Sequence, residues 1–130
     1  ENRDELVALI ENFDSADYLL QRYVKEARGV DKRVIVVGEE VVGAIERRNP
    51  VDFRANIDLG GSAHPTPLTE EEAAIALEAH RLLGLTFSGI DLIRSNEGPL
   101  LVEVNSNMSY LGFQHATGID VTNKILHTIQ

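Results

Sequence analysis

Two apolar segments, Ile90-Asp91-Leu92-Ile93 and Leu101-Val102-Glu103-Val104-Asn105, flank Ser95-Asn96-Glu97-Gly98-Pro99. The intervening residues carry turn chemistry, so this stretch commits the chain to a β-hairpin. Pairing Arg94 with Leu100 sets Asp91 opposite Glu103. Asn105, two residues further on, shares the face of Glu103 because side chains alternate along a strand. Two carboxylates and an amide on one face repel each other without a cation. Hard oxygen donors of this kind suit Mg²⁺ or Mn²⁺, and Mg²⁺ sites with few carboxylates usually also hold substrate phosphates. The spacing therefore points to a metal–nucleotide site at Asp91, Glu103 and Asn105. The same alternation also describes a half-exposed hairpin whose polar face is simply solvated. A one-residue slip in register would part Asp91 from Glu103.

Composition narrows the classes. A chain of 130 residues with 43% apolar content suits a single domain with a sizeable core. Its 21 acidic against 12 basic residues give a net charge of −9. That argues against a broad nucleic-acid surface, which needs clustered Lys and Arg, but not against one nucleotide held by a local Arg and a metal. There is no cysteine, so disulfides and thiol catalysis are excluded. No apolar run reaches the length of a membrane span and no signal-peptide pattern opens the chain, so a soluble cytoplasmic protein is the expectation.

The remaining pattern alternates helix and strand. Residues 5–12 read as a short amphipathic helix and residues 18–23 as a strand. Residues 32–37 and 41–47 are rich in Val and Ile around Gly38-Glu39-Glu40, which predicts a second hairpin. Residues 49–67 hold three prolines and two adjacent glycines without periodicity, and are expected to form a long loop. Thr69-Glu70-Glu71-Glu72 is a capping box opening a helix to about Leu83, with Gly84 at its C-terminal end. Its acidic first turn suits the helix dipole, which accounts for the run without a metal. After the first hairpin a loop is expected, and residues 119–129 read as a closing helix. The sum is an α+β fold, an antiparallel sheet covered by helices. Four histidines, His64, His80, His115 and His127, are too scattered for a zinc site. His80 is expected at the surface or boundary, and His115 lies in the loop after the metal ligands.

The order of these motifs resembles the C-terminal half of an ATP-grasp ligase, most closely the RimK-like group of carboxylate–amine ligases. The resemblance runs from about Tyr18 to the end. It rests on Gln21-Arg22-Tyr23-Val24-Lys25-Glu26-Ala27-Arg28-Gly29, Asp31-x-Arg33, Val42-Gly43-Ala44-Ile45-Glu46-Arg47-Arg48, Asp52-Phe53-Arg54-Ala55-Asn56, Asp91, Glu103-x-Asn105 and Thr117-Gly118-Ile119-Asp120. It implies that residues 1–130 form a C-terminal ATP-grasp subdomain. In the family a nucleotide-binding Lys and a Gly-rich loop lie just upstream, and neither occurs here. With an opening Glu1-Asn2-Arg3-Asp4 that lacks methionine, the chain reads as a fragment incomplete for catalysis.

The resemblance implies ATP and Mg²⁺ (or Mn²⁺), with two ions, and an amino-acid or peptide substrate that includes a protein C-terminus among the options. Direct nucleic-acid and membrane partners are not expected, and a homo-oligomer stays open. Residues 21–24, Gln21, Arg22, Tyr23 and Val24, match the segment whose backbone meets the adenine edge, with Tyr23 packing rather than touching the ligand. Asp31 matches the position near the ribose, although Asp before a strand is also an ordinary turn residue. Arg54 and Asn56 match an Arg-x-Asn pair that contacts the nucleotide. Arg33 and Arg54 are the candidates for catalysis, because cationic groups stabilise the charge that builds on a transferring phosphoryl group. For Arg33 an ion pair with Glu46 competes, and Arg47 and Arg48 either hold an acidic acceptor or face water. The reading of function is an ATP- and Mg²⁺-dependent ligase acting through an acyl phosphate. The alternative is a nucleotide-binding or regulatory module that has lost turnover.

One segment departs from the family. After Asn105 the family carries a Ser-Pro-Gly turn, whereas here Ser106-Asn107-Met108-Ser109-Tyr110-Leu111-Gly112 has neither the Pro nor the adjacent Gly. This changes the backbone angles open to the loop. The family places its acceptor near this region, so the departure leaves the acceptor's identity open.

Overall fold

A computed structural model describes residues 3–11, 19, 21–55 and 60–130. Within them, β1 (Val30–Val37), β2 (Glu40–Arg48), β3 (Ser62–Pro65), β4 (Phe87–Ser95) and β5 (Gly98–Asn105) form one antiparallel sheet in the order β3-β2-β1-β4-β5. The helices are α1 (Arg3–Glu11), α2 (Glu70–Leu82), α3 (Leu111–Thr117) and α4 (Val121–Thr128). The α+β architecture expected from the sequence is the one observed.

β1 lies at the centre of the sheet, and its apolar run is buried on both faces. Val34 and Val36 pack with Ala44, Ile90 and Leu92 beneath Ala76 of α2. Ile35 and Val37 point the other way, to Ile45, Met108, Phe113 of α3 and Val121 of α4. Burying a side chain of this size contributes roughly 1.5–3 kcal/mol, so β1 is the stable axis on which the polar residues at its start are mounted.

The capping box of α2 forms as predicted. Thr69 Oγ1 accepts from the Glu72 N–H, and Glu72 Oε2 accepts from the Thr69 N–H. Glu72 is itself buried and also receives Lys32 Nζ at 2.7 Å and Arg94 Nε at 3.1 Å. The start of α2 is thereby tied to β1 and β4. Burial alone would raise the Glu72 carboxyl, but Lys32, the Thr69 N–H and Arg94 together hold it below its ordinary value.

Several expectations are corrected. Of the strand expected at residues 18–23, Tyr18 and Leu20 lie outside the described residues. Leu19 and residues 21–24 form no strand, and Lys25–Ala27 make one 3₁₀ turn. The long loop contains β3, paired with β2 from Ile45↔Pro65 to Arg48↔Ser62; as an edge strand it tolerates Pro65, whose missing N–H no second neighbour requires. The stretch after Asn105 contains α3, and the closing helix starts at Val121 with Asp120 as its cap. The first helix begins at Arg3 and ends at Glu11; Asn12 is outside the described residues. His80 is buried, 2% exposed, with Nδ1 2.7 Å from Ser88 Oγ, and burial pushes its pKa down.

Candidate functional site

On the sheet face that carries α3 and α4, the helices cover the Ile35–Val37 end of β1 and leave its beginning open. There the sheet floors a cleft of about 450 Å³ lined by Asp31, Arg47, Asp91 and Glu103, with residues 21–24, Phe53 and Arg54 at its walls. Asp31 and Arg33 come from β1, Arg47 from β2, Asp91 from β4, and Glu103 and Asn105 from β5.

The ladder sets their positions. Asp31 pairs with Arg47, Arg33 with Asp91, and Asp91 with Glu103. The turn joining β4 and β5 spans only Asn96 and Glu97, so Arg94 pairs with Pro99 rather than with Leu100. A bulge that leaves Val102 unpaired between Leu92↔Leu101 and Asp91↔Glu103 restores the expected opposition.

A hydrogen-bonded network follows from this register. Arg33 donates through Nε and Nη2 to the two oxygens of Asp91, both at 2.7 Å. Arg47 donates to both oxygens of Asp31, at 2.7 and 2.6 Å, and its Nη2 also reaches Asp91 Oδ2 at 2.9 Å. Asn105, with its amide nitrogen turned to Glu103, donates to Glu103 Oε1 at 3.0 Å and accepts from Arg33 Nη2 at 3.3 Å. The chain Asp31–Arg47–Asp91–Arg33–Asn105–Glu103 thus alternates charge across four strands. Among the described residues Glu103 makes no ion pair, so the network's surplus negative charge sits there.

Burial is deep at Asp91 and Arg47 and partial at Asp31. Burial pushes the Asp31 carboxyl up, and this outweighs the downward pull of Arg47. For Arg47, burial works against the charge, yet Asp31 and Asp91 keep the guanidinium above its ordinary value.

The donor set fits a hard cation. Glu103 and Asn105 offer oxygens beside the surplus charge. A carboxylate has about four acceptor positions; three on Asp91 are taken by guanidinium N–H groups, which leaves one on Oδ1. No group of three His, Cys, Asp or Glu is gathered around one point among the described residues. A cation beside Asp91 and Glu103 would find its next side-chain oxygen on Asn105, which lies beside Glu103.

Other residues named from the sequence fall around this floor. Arg33 pairs with Asp91 and not with Glu46, which takes Arg48 instead. Arg48 is the one of the two adjacent arginines that faces water, while Arg47 is buried. Arg22 is exposed and meets Glu97 at 3.3 Å. Tyr23 stands edge-on to Phe53, centroids 6.2 Å apart, and Val24 and Gln21 complete that wall. Arg54 sits at the mouth, exposed, over the Phe53 ring at 5.5 Å and bonded to Asp52 at 2.9 Å. The Arg54 side chain and N–H hold the Asp52 carboxyl down at about 2. Asn56 lies outside the described residues. His115 is exposed on α3.

The loop bearing Phe53 and Arg54 is anchored from beneath. Gly29 donates to the Phe53 carbonyl and accepts from the Asn49 N–H, both at 2.8 Å. Asn49 Oδ1 accepts from the Val51 and Asp52 N–H groups. Gly29 has φ +65°, and a Cβ there would overlap the Asn49 carbonyl oxygen. Sequence reasoning quoted Gly29 at the end of a motif without giving it a role, and it left the role of Arg47 open. It missed Gly89, where a Cβ would overlap Met108 of the atypical loop.

The profile of the RimK-like ATP-grasp domain matches residues 1–129. The chain belongs to the RimK-like ATP-grasp family. Ribosomal protein bS6–L-glutamate ligase of Escherichia coli O81 (strain ED1a) is 42% identical over 133 residues, covering 100% of this chain and 44% of the relative. The same enzyme of Shigella boydii serotype 18 (strain CDC 3083-94 / BS512) gives the same figures. The chain therefore spans less than half the length of these relatives. Among solved structures, D-alanine–D-alanine ligase from Bacillus anthracis complexed with ATP superposes with a TM-score of 0.71 at 20% identity, over 98% of this chain and 45% of that one. A RiPP-associated ATP-grasp ligase of Chryseobacterium gregarium, in complex with ADP and a leader and core peptide, gives 0.63 at 21% identity over 79% and 33%. These two establish the ATP-grasp fold. No helix among the described residues is long and apolar enough to cross a membrane.

Proposed function

We propose that the protein is an ATP- and Mg²⁺-dependent ligase that joins a carboxylate to an amine, with residues 1–130 as the C-terminal part of its ATP-grasp domain. The observation that carries this reading is Glu103 opposite Asp91 on the cleft floor, with Arg33 linking Asp91 to Asn105. Asp91, Glu103 and Asn105 would hold the cation, which when bound draws charge from the phosphate oxygens. The backbone of residues 21–24 receives the adenine edge, and Arg54 reaches the phosphates from the cleft mouth. A substrate carboxylate oxygen attacks the γ-phosphorus, ADP leaves, and an acyl phosphate remains. The amine then attacks the acyl carbon, phosphate departs, and the amine loses a proton. Arg33 and Arg54 stabilise the charge on the transferring oxygens. The curated relatives act on a ribosomal protein with glutamate, so glutamate or another amino acid, added to a protein or peptide C-terminus, is the substrate class to try first.

Hydroxylamine trapping tests the reading. The full-length protein with ATP, Mg²⁺ and the carboxylate acceptor should give a hydroxamate together with one ADP, because hydroxylamine displaces phosphate from an acyl phosphate. Retained ADP binding without hydroxamate would favour the non-catalytic module instead. The engagement of three of the acceptor positions of Asp91 by arginines speaks for that second reading.

A further inference from the structure

We propose that Asp31 and Arg47 are a positioning pair, in which Arg47, clamped by Asp31, fixes Oδ2 of Asp91 so that Oδ1 stays turned to the cation. The inference rests on the ligand reading above and adds to it a division of labour between the two arginines that meet at Asp91.

Three observations carry it. Both oxygens of Asp31 accept from Arg47, so this carboxylate, which also lines the cleft, is held by an arginine. Arg47 reaches past β1 from β2 to β4, and its Nη2 is shared between Asp31 Oδ2 and Asp91 Oδ2. The two arginines also differ in exposure. The side chain of Arg47 is 5% exposed, that of Arg33 18%.

The consequence concerns what happens when a nucleotide enters. Arg33 holds both oxygens of Asp91 and also meets Asn105, so a phosphate that takes its guanidinium draws Arg33 away from Asp91. If Arg47 were absent, Asp91 would then lose its last donor and rotate freely. With Arg47 in place, Oδ2 stays pinned. Buried ion pairs of this kind contribute little net stability, whereas groups that orient metal ligands typically alter metal affinity 10–100-fold.

The test measures Mn²⁺ affinity in the presence of ADP, by the electron paramagnetic resonance signal of free Mn²⁺, on the full-length protein. Arg47→Lys keeps the charge but cannot fork to two carboxylates, and should weaken Mn²⁺ binding about 10-fold. Asp31→Asn/Arg47→Gln removes both charges together and so leaves no buried orphan; its thermal midpoint should approach that of the parent while Mn²⁺ binding stays about 10-fold weaker. Parent-like Mn²⁺ affinity in the double variant would overturn the proposal and make the pair merely structural. Glu103→Gln, run in parallel, reports on the ligand reading itself: unchanged affinity there would overturn that reading, whatever Arg47 does.

Discussion

Asp91 stands opposite Glu103 because β5 carries one residue, Val102, that β4 does not match. A regular ladder continued from the turn would have set Asp91 against Val102 and left Glu103 facing the other side of the sheet. The β1–β2 hairpin repeats the device. Its register shifts between Ile35↔Gly43 and Val36↔Val41, which leaves Val42 unpaired and puts Asp31 opposite Arg47. Without that shift, Asp31 would oppose Glu46, a like charge. Two bulges therefore convert two ordinary hairpins into one charge-matched floor.

Glu103→Gln tests the first of these relationships through turnover. A glutamine keeps an acceptor for the Asn105 amide, and Glu103 is exposed, so the thermal midpoint should move by less than about 2 °C. Hydroxamate formation should fall at least about 100-fold, since the surplus negative charge is gone. Near-parent turnover would remove Glu103 from the site.

Arg54→Ala separates binding from catalysis. The exposed pair with Asp52 contributes little to stability. Loss of a guanidinium that acts on the transferring phosphoryl group should lower kcat by roughly 100-fold with a smaller change in KM for ATP. A raised KM with unchanged kcat would make Arg54 a uniform binding contact.

Gly29→Ala should displace the loop that carries Arg54. The left-handed backbone at Gly29 and its closeness to the Asn49 and Asp52 carbonyls leave no space for a methyl group. Strain of this kind costs about 1–3 kcal/mol, which corresponds to a fall of roughly 5 °C or more in thermal midpoint. The same variant should lose ATP affinity, because the loop walls the cleft. An unchanged midpoint and affinity would show that the loop is held by other contacts.

Acid should weaken the fold in two stages. His80 has a lowered pKa through burial, so the unfolded chain takes up that proton first, and stability falls as pH drops below the ordinary His range of about 6.5. Glu72 has a lowered pKa, so its contribution is complete above the ordinary carboxylate value and is lost as pH falls through the depressed one. Asp31, whose carboxyl is raised, works in the opposite sense. The midpoint should be flat from pH 7 to 8, fall below about pH 6.5, and fall again below about pH 4.5. His80→Asn should flatten the first stage and Glu72→Gln should make the second shallower, leaving the share of Asp52, and a first stage that survives in His80→Asn would contradict the assignment.

Much of the floor was legible because alternation and turn residues are local signals. The Thr69–Glu72 capping box and the shared face of Glu103 and Asn105 follow from spacing, whereas Asp91 meets Glu103 only because the bulge at Val102 offsets a turn one residue away from the expected register. The bulges are not local: they answer to charge and burial across strands, so the partner of Asp31 could not be read from the β1–β2 segment. Arg47 was ambiguous for the same reason, since its burial depends on β1 lying between β2 and β4. α3 escaped because Leu111-Gly112-Phe113-Gln114 has no capping side chain at Tyr110 and a glycine at its second position. β3 escaped because a proline-rich run can pair only at an edge, and edges are set by topology. His80 looked like a surface residue until Ser88, on the neighbouring strand, supplied a partner.

The central claim is that Asp91, Glu103 and Asn105 bind a divalent cation together with a nucleotide. The most direct measurement titrates the full-length protein with Mn²⁺, with and without ADP, following free Mn²⁺ by electron paramagnetic resonance, beside Asp91→Asn, which preserves shape and one acceptor oxygen. The account predicts nucleotide-dependent Mn²⁺ uptake that weakens at least about 10-fold in Asp91→Asn. Uptake that is unchanged in Asp91→Asn, or absent from folded parent protein that still binds ADP, would contradict it.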